Sequence, residues 1–214
     1  MNVELLDIHT HQTDGIPGEA IINKMPKELV IEPGKWYSVG IHPWFIYEMG
    51  KEDKDLLYEL VRYPQVIAIG EAGFDRVKDI SVADQISIFA EQAYIAEETD
   101  KPLIIHMVKA ADLLLAEKKK LMPKMPWIIH GFRGKPELAN QLLDAGMYLS
   151  FGERYNVGAL RATPLDHMFL ETDEATCGIH HIYNKVAEDL GMDVEVLKEQ
   201  MKKNIDRFFF KKKL

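Results

Sequence analysis

The amino-acid sequence predicts an α/β protein of the TIM-type (β/α) barrel class, with residues 1–214 forming a single domain. Three observations lead there. Short apolar runs alternate with helix-periodic stretches about seven times, the pattern of a parallel sheet. No Gly/Ser-rich or Pro-rich linker divides the chain, and no internal repeat is visible. Histidines and carboxylates fall at the C-terminal ends of six apolar runs. A barrel gathers those ends into one ring. A doubly wound open sheet fits the alternation equally well, but strings such residues along an edge too wide to share one ion.

The elements follow in order. Glu4–Ile8, Trp36–Ile41, Val66–Gly70, Leu103–Ile105, Trp127–Ile129, Tyr148–Phe151 and Met168–Leu170 are near-continuous apolar runs, as expected of strands buried on both faces. Lys54–Arg62, Ala83–Thr99, Ala110–Leu121 and Glu137–Ala145 repeat their apolar residues every three and four positions, which predicts helices. Pro136 stands where a helix starts and Gly146 just beyond where it stops. Residues Ile182–Phe210 read as two helices broken near Gly191-Met192-Asp193, with Asp193 as the second N-cap. The stretch from Gln12 to Lys35 is compressed. A strand there is expected to be irregular or missing, giving a distorted or incomplete barrel.

Composition narrows the function. Hydrophobic residues make up 47% and charged residues 28%, values of a folded globular chain. No apolar run is long enough for a bilayer, so no membrane role is expected. The first residues lack a basic segment followed by an apolar one, so no signal peptide is read. A single cysteine, Cys177, excludes an internal disulfide and fits a reducing, cytoplasmic location. The net charge of −8 argues against a dedicated duplex-DNA binder. It leaves room for a metalloenzyme acting on phosphates, because bound cations supply local positive charge. Lys118-Lys119-Lys120 and Lys211-Lys212-Lys213 read as solvated helix and chain ends. No obligate protein partner is legible.

The chemistry lies in the strand-end residues. Asp7-Ile8-His9-Thr10-His11 places Asp7, His9 and His11 on one face of a regular strand, with Ile8 packed outward. Two adjacent imidazoles chelate a divalent ion, and Asp7 is expected to hold an imidazole N–H. His42, Glu71, His106, His130 and Asp173 end later runs. A lone strand-end histidine is more often a hydrogen-bonded core residue, but six coincidences favour one shared cause. A carboxylate closing a buried strand is costly unless paired or metal-bound.

These segments together resemble the TatD-like metal-dependent hydrolases, within the wider amidohydrolase-like barrels. The resemblance runs through Asp7–His11, Gly40–Pro43, Gly70–Asp75, Pro102–His106, His130–Gly134, Ala145–Gly152, Leu170–Asp173 and Asn204–Phe209. It implies one or two divalent ions, with zinc, manganese, magnesium, nickel and iron not distinguishable. It also implies a phosphodiester substrate, single-stranded DNA among the candidates. His9, His11, Glu71 and Asp173 would hold the first ion. Glu71, His106 and His130 would hold the second, with Glu71 bridging. Asp173 and Glu71 are the catalytic candidates, Asp173 orienting the attacking water and accepting its proton. His42, Asp75, Lys109 and Arg133 are the candidate substrate contacts, with support of the metal ligands as the other reading for His42 and Asp75; Trp44 and Phe132 are candidate pocket walls, with packing as the other reading for both.

Three departures stand out. Val108 occupies the position, two after the fourth-motif histidine, where the family usually has arginine. The segment after Asp173 lacks the family's proline-bearing loop, and the chain is compressed between Gln12 and Lys35. They keep a second reading open, a hydrolase of the same barrel acting on a small phosphoester or cyclic amide. A non-catalytic metal-binding protein is a third, against which the full ligand set argues. A PHP-type phosphoesterase ranks lower, because Asp173 is not followed two residues on by histidine.

Overall fold

The computed structural model describes residues 4–211. Lys212 and Lys213 of the basic tail lie outside them. Eight parallel strands form one sheet in chain order: β1 Asp7–Thr10, β2 Ala20–Lys24, β3 Trp36–Val39, β4 Val66–Asp75, β5 Leu103–Val108, β6 Trp127–Ile129, β7 Tyr148–Phe151 and β8 Met168–Leu170. The sheet closes on itself just past β8. The Asp173 N–H donates to the His9 carbonyl (2.9 Å), and the His11 N–H donates to the Asp173 carbonyl (3.1 Å). The barrel is therefore nearly closed, through the backbone of the very residues singled out as ligands.

The compressed stretch from Gln12 to Lys35 contains a strand after all. β2 pairs with both neighbours, Asp7 opposite Ala20 and Ile21 opposite Trp36. Helices are what this region lacks. A loop joins β1 to β2, and the short 3-10 turn Pro26–Glu28 serves between β2 and β3. That turn is tied down by Lys27, whose ammonium lies 2.9 Å from the buried Asp53 carboxylate. Asp53 belongs to α1, Lys51–Leu60. Helices α2 Val82–Glu98, α3 Ala111–Leu121 and α4 Pro136–Asp144 follow β4, β5 and β6. The short α5, Val157–Ala162, was not predicted; Asn156 caps it by accepting from the Ala159 N–H (3.0 Å). α6 Ile179–Leu190 ends on Gly191 in the left-handed conformation, and Asp193 caps α7, Val194–Phe209, as predicted.

Strand alternation sorts the apolar residues into two groups. Ile22, Val39, Ile69, Leu103, Ile105, Ile129, Leu149 and Leu170 join the layer that also contains the helix residues. Ile8, Ile21, Ala68, Ile104, Ile128 and Phe169 form a second cluster with Phe208 and Phe209 of α7. This second set is the barrel interior. Phe169 packs against Phe208 and Phe209 at ring separations of 5.8 and 5.9 Å, so the last helix seals one end.

Two expectations about β1 are corrected. Ile8 faces the interior, not outward. The register shifts between Asp7 and Thr10, so three steps on β1 oppose two on β2 (Asp7 with Ala20, Thr10 with Ile22). This bulge breaks the regular alternation and re-aims the side chains that follow. His9 thereby reaches the mouth, and Asp7 does not.

Candidate metal centre

The interior alternation explains how most of the candidate residues arrive at one place. His106 and His130 follow the interior residues Ile104 and Ile128 by two positions, and Glu171 follows Phe169 by two. Each therefore continues the inward face beyond the apolar layer. β4 brings Glu71. Its glycines let β4 and β5 approach closely: Gly73 has φ +155°, and a Cβ there would run into the His106 carbonyl. A Cβ on Gly70 would lie 2.6 Å from the Ile104 oxygen.

One group of donors is spaced for an ion. His9 Nε2 lies 3.6 Å from Glu71 Oε2 and 3.7 Å from Asp173 Oδ1. His11 Nε2 lies 3.5 and 3.7 Å from the same two oxygens. A tetrahedral site with bonds near 2.1 Å has ligands about 3.4 Å apart. His9 is buried, and neither of its ring nitrogens has a hydrogen-bond partner among the described residues. Buried polar atoms without a partner are rare in folded proteins, and here they sit among two carboxylates and another imidazole. These four side chains fit a divalent cation.

The second group is bound by hydrogen bonds. Glu71 Oε1 lies 2.7 Å from His106 Nδ1, 2.7 Å from His130 Nε2 and 3.3 Å from His42 Nε2. The donor atoms of His42, Glu71 and His106 lie within mutual reach of one ion, as do those of His9, His130 and Asp173. His42 is thus drawn from the edge of the pocket into the donor cluster. His130 bridges the two groups.

Charge follows this geometry. Burial pushes the Glu71 carboxyl up, but the His130 charge and hydrogen bonds from His106, His11 and His130 outweigh it and hold it well below the usual range. Burial works against the His130 imidazolium, but the Glu71 charge and the bond to Glu171 raise its pKa well above normal. Burial, then the His130 charge, keeps His9 neutral. Burial lowers His42 and raises Asp173.

Asp7 does not hold an imidazole. It accepts from the backbone N–H groups of His9 and Thr172 (3.1 Å each) and contacts Thr172 Oγ1 at 2.6 Å. Burial pushes its pKa to about 8. It ties β1 to the segment that carries Asp173. Glu171, overlooked in the sequence, takes the supporting part: its Oε1 accepts from the Gly131 N–H (2.6 Å) and lies 3.3 Å from His130 Nδ1. The rule that flagged Asp173, an acid closing a buried strand, applied equally to Glu171.

Asp75 is engaged within the protein. Its Oδ2 lies 3.0 Å from His106 Nε2 and accepts from the Trp44 indole N–H (2.7 Å), while Oδ1 accepts from the Val77 N–H (2.7 Å). Phe132 is buried against Phe151, a packing role. Lys109 is exposed on the turn after β5, with φ +51°. Arg133 is exposed and lines a cavity of about 250 Å³ together with Arg154, Glu153, Glu174 and Asp173.

The sequence matches the family model "TatD related DNase" over residues 21–210. The chain belongs to this family. The 3'-5' ssDNA/RNA exonuclease TatD of Erwinia billingiae (strain Eb661) is 29% identical over 201 residues, covering 81% of this chain and 77% of that protein. The protein of the same name from Klebsiella pneumoniae (strain 342) is 31% identical over 150 residues, 65% of this chain and 57% of its own length. In that match the chain spans little more than half of its relative. The fold agrees with the TatD homolog YJJV of Escherichia coli K12, with a TM-score of 0.85, 18% identity, and 98% and 99% of the two chains covered.

Proposed function

We propose that this chain, acting as one domain, is a divalent-metal-dependent phosphodiesterase of single-stranded nucleic acid. The observation that carries the reading is the buried His9 imidazole. Its unpartnered nitrogens stand among Glu71, Asp173 and His11 at coordination spacing. The names of the relatives, exonucleases of ssDNA and RNA, supply the substrate class. The single cysteine supports a reducing compartment, the cytoplasm.

His9, His11, Glu71 and Asp173 would hold the first ion. The second position centres on Glu71 Oε1 and His106, with His130 and His42 on either side. Bound divalent ions would supply Lewis acidity, polarising the phosphoryl oxygen and favouring ionisation of the attacking water. Asp173 is the more open of the two shared carboxylates, 23% exposed against 4% for Glu71. It is placed to orient that water and take its proton. Asp75 fixes the His106 ring through Nε2, and Glu171 fixes His130 through Nδ1. Arg133 and Arg154 line the cavity that Asp173 shares and offer forked donors for a phosphate, where Val108 supplies none.

Val108 favours a second reading, a small phosphoester or cyclic amide as substrate. The test is cleavage of short single-stranded DNA by metal-stripped protein with Mg, Mn or Zn restored. Metal-dependent cleavage is expected, and Asp173→Asn should lower kcat about 10²–10⁴-fold with the fold intact by circular dichroism. Cleavage of small phosphoesters alone moves the second reading forward. No hydrolysis of either, with metal bound, ends the phosphoesterase readings and leaves the cyclic amide to be assayed.

A further inference from the structure

Among the large apolar side chains on the surface, Trp44 is unusual in its surroundings. The indole is 41% exposed, yet lies 5.0 Å from the His42 ring and 6.0 Å from the His106 ring, beside the second donor group. Its orientation is fixed at two points. The indole N–H donates to Asp75 Oδ2 at 2.7 Å, and the backbone N–H donates to His42 Nδ1 at 3.1 Å. Two further exposed apolar residues are Tyr47 at 62%, three positions on, and Val77 at 61%, whose N–H donates to the same Asp75 carboxylate. The Tyr47 hydroxyl is itself anchored, accepting from the Ser81 N–H (3.1 Å) and donating to Asp84 Oδ2 (2.9 Å). This rim is rigid and apolar where most of the mouth is ionic.

We propose that Trp44 is a stacking platform for an unpaired nucleobase, on the nucleotide flanking the phosphodiester that the donor cluster cleaves. The proposal rests on the phosphodiesterase reading and narrows its substrate to one that carries bases. A fixed, solvent-facing indole loses little freedom when a flat ring settles on it, and base–aromatic stacking accepts any base. The Lys78 ammonium lies 4.3 Å from the indole centroid on an exposed chain. It can swing aside and meet the phosphate of the stacked nucleotide. Duplex DNA, with its bases already stacked, gains nothing from such a platform.

Trp44 also orients Asp75, so simple loss of activity on mutation would not separate the two roles. The test is therefore tryptophan fluorescence of the metal-stripped protein, titrated with a short single-stranded oligodeoxynucleotide and with its fully abasic analogue of equal charge. Hydrolysis of both by the metal-loaded enzyme is measured in parallel. The base-bearing strand should quench the indole and bind roughly tenfold more tightly than the abasic strand. The quench should vanish in Trp44→Phe, which keeps an aromatic face and should keep most of the affinity difference. Trp44→Leu should lose that difference. Equal affinity for the two strands in the wild type, or a quench that persists in Trp44→Phe, overturns the platform. Cleavage of both strands alongside that result leaves the phosphodiesterase reading standing. Cleavage of neither sinks that reading separately.

Discussion

The two sides of the Glu71 carboxylate face differently built surroundings. On the Oε2 side, His9, His11 and Asp173 keep their donor atoms 3.5–3.7 Å apart. On the Oε1 side, His106 and His130 close to 2.7 Å. The first spacing is that of ligands around an ion, the second that of hydrogen bonds. The backbone explains part of the difference. His9, His11 and Asp173 are locked to one another by main-chain hydrogen bonds across the β1–β8 seam. Those bonds fix the spacing of the three backbone positions from which the side chains project. His106 and His130 project from adjacent strands onto one Glu71 oxygen, each ring held from behind by a second carboxylate, Asp75 and Glu171. On the proposed reading the first half is the tighter ion site, and an ion in the second would displace the His130 proton.

The largest effect should come from Glu71→Gln, which strikes both halves at once. Metal content and hydrolysis should both be lost, with circular dichroism unchanged; retained activity would break the account of a shared carboxylate. Next, His11→Ala and His106→Ala should separate the halves. His11→Ala should remove the tight ion and all turnover. His106→Ala should spare the tight ion, measured by equilibrium dialysis and elemental analysis.

The third effect concerns pH. The folded pKa of His130 is raised well above 6.5. Its proton therefore stabilises the metal-free fold below pH 6.5, a contribution lost as pH rises through the folded value. An ion entering the second half must displace that proton. Its affinity should climb with pH, approaching about tenfold per unit while one proton is released. Burial holds His9 neutral, but Glu71 raises the pKa of His11, so binding in the first half should also strengthen with pH until His11 has lost its proton. Calorimetric titrations in buffers of different ionisation enthalpy count the protons directly. The smallest effect should be Arg133→Ala, which touches neither half: KM for single-stranded DNA should rise about three- to tenfold with kcat nearly constant, the scale of one exposed charged contact.

His106 and His130 were legible from the sequence because each follows a regular strand, and two-residue alternation carries from Ile104 and Ile128 to the mouth. Asp7 and Ile8 were misplaced because a bulge, one uncompensated residue against β2, has no signature in so short a run. β2 was hidden for a similar reason. Its only large apolar residues are Ile21 and Ile22, and Asn23 is buried with Ser38 donating to its Oδ1 at 3.0 Å. A strand whose polar residue is satisfied by its neighbour does not read as a strand. The partners of the supporting carboxylates were harder to read. Asp75 meets His106 across 31 positions and Glu171 meets His130 across 41, pairings that depend on which strands lie side by side in the sheet.

Titration of the metal-stripped protein with a divalent ion at neutral pH, in the wild type and in His11→Ala, bears most directly on the tighter site. The account predicts one tight site in the wild type, abolished in His11→Ala, and a weaker second site that strengthens as pH rises. A wild type that binds no divalent ion, or tight binding that survives in His11→Ala, would contradict it.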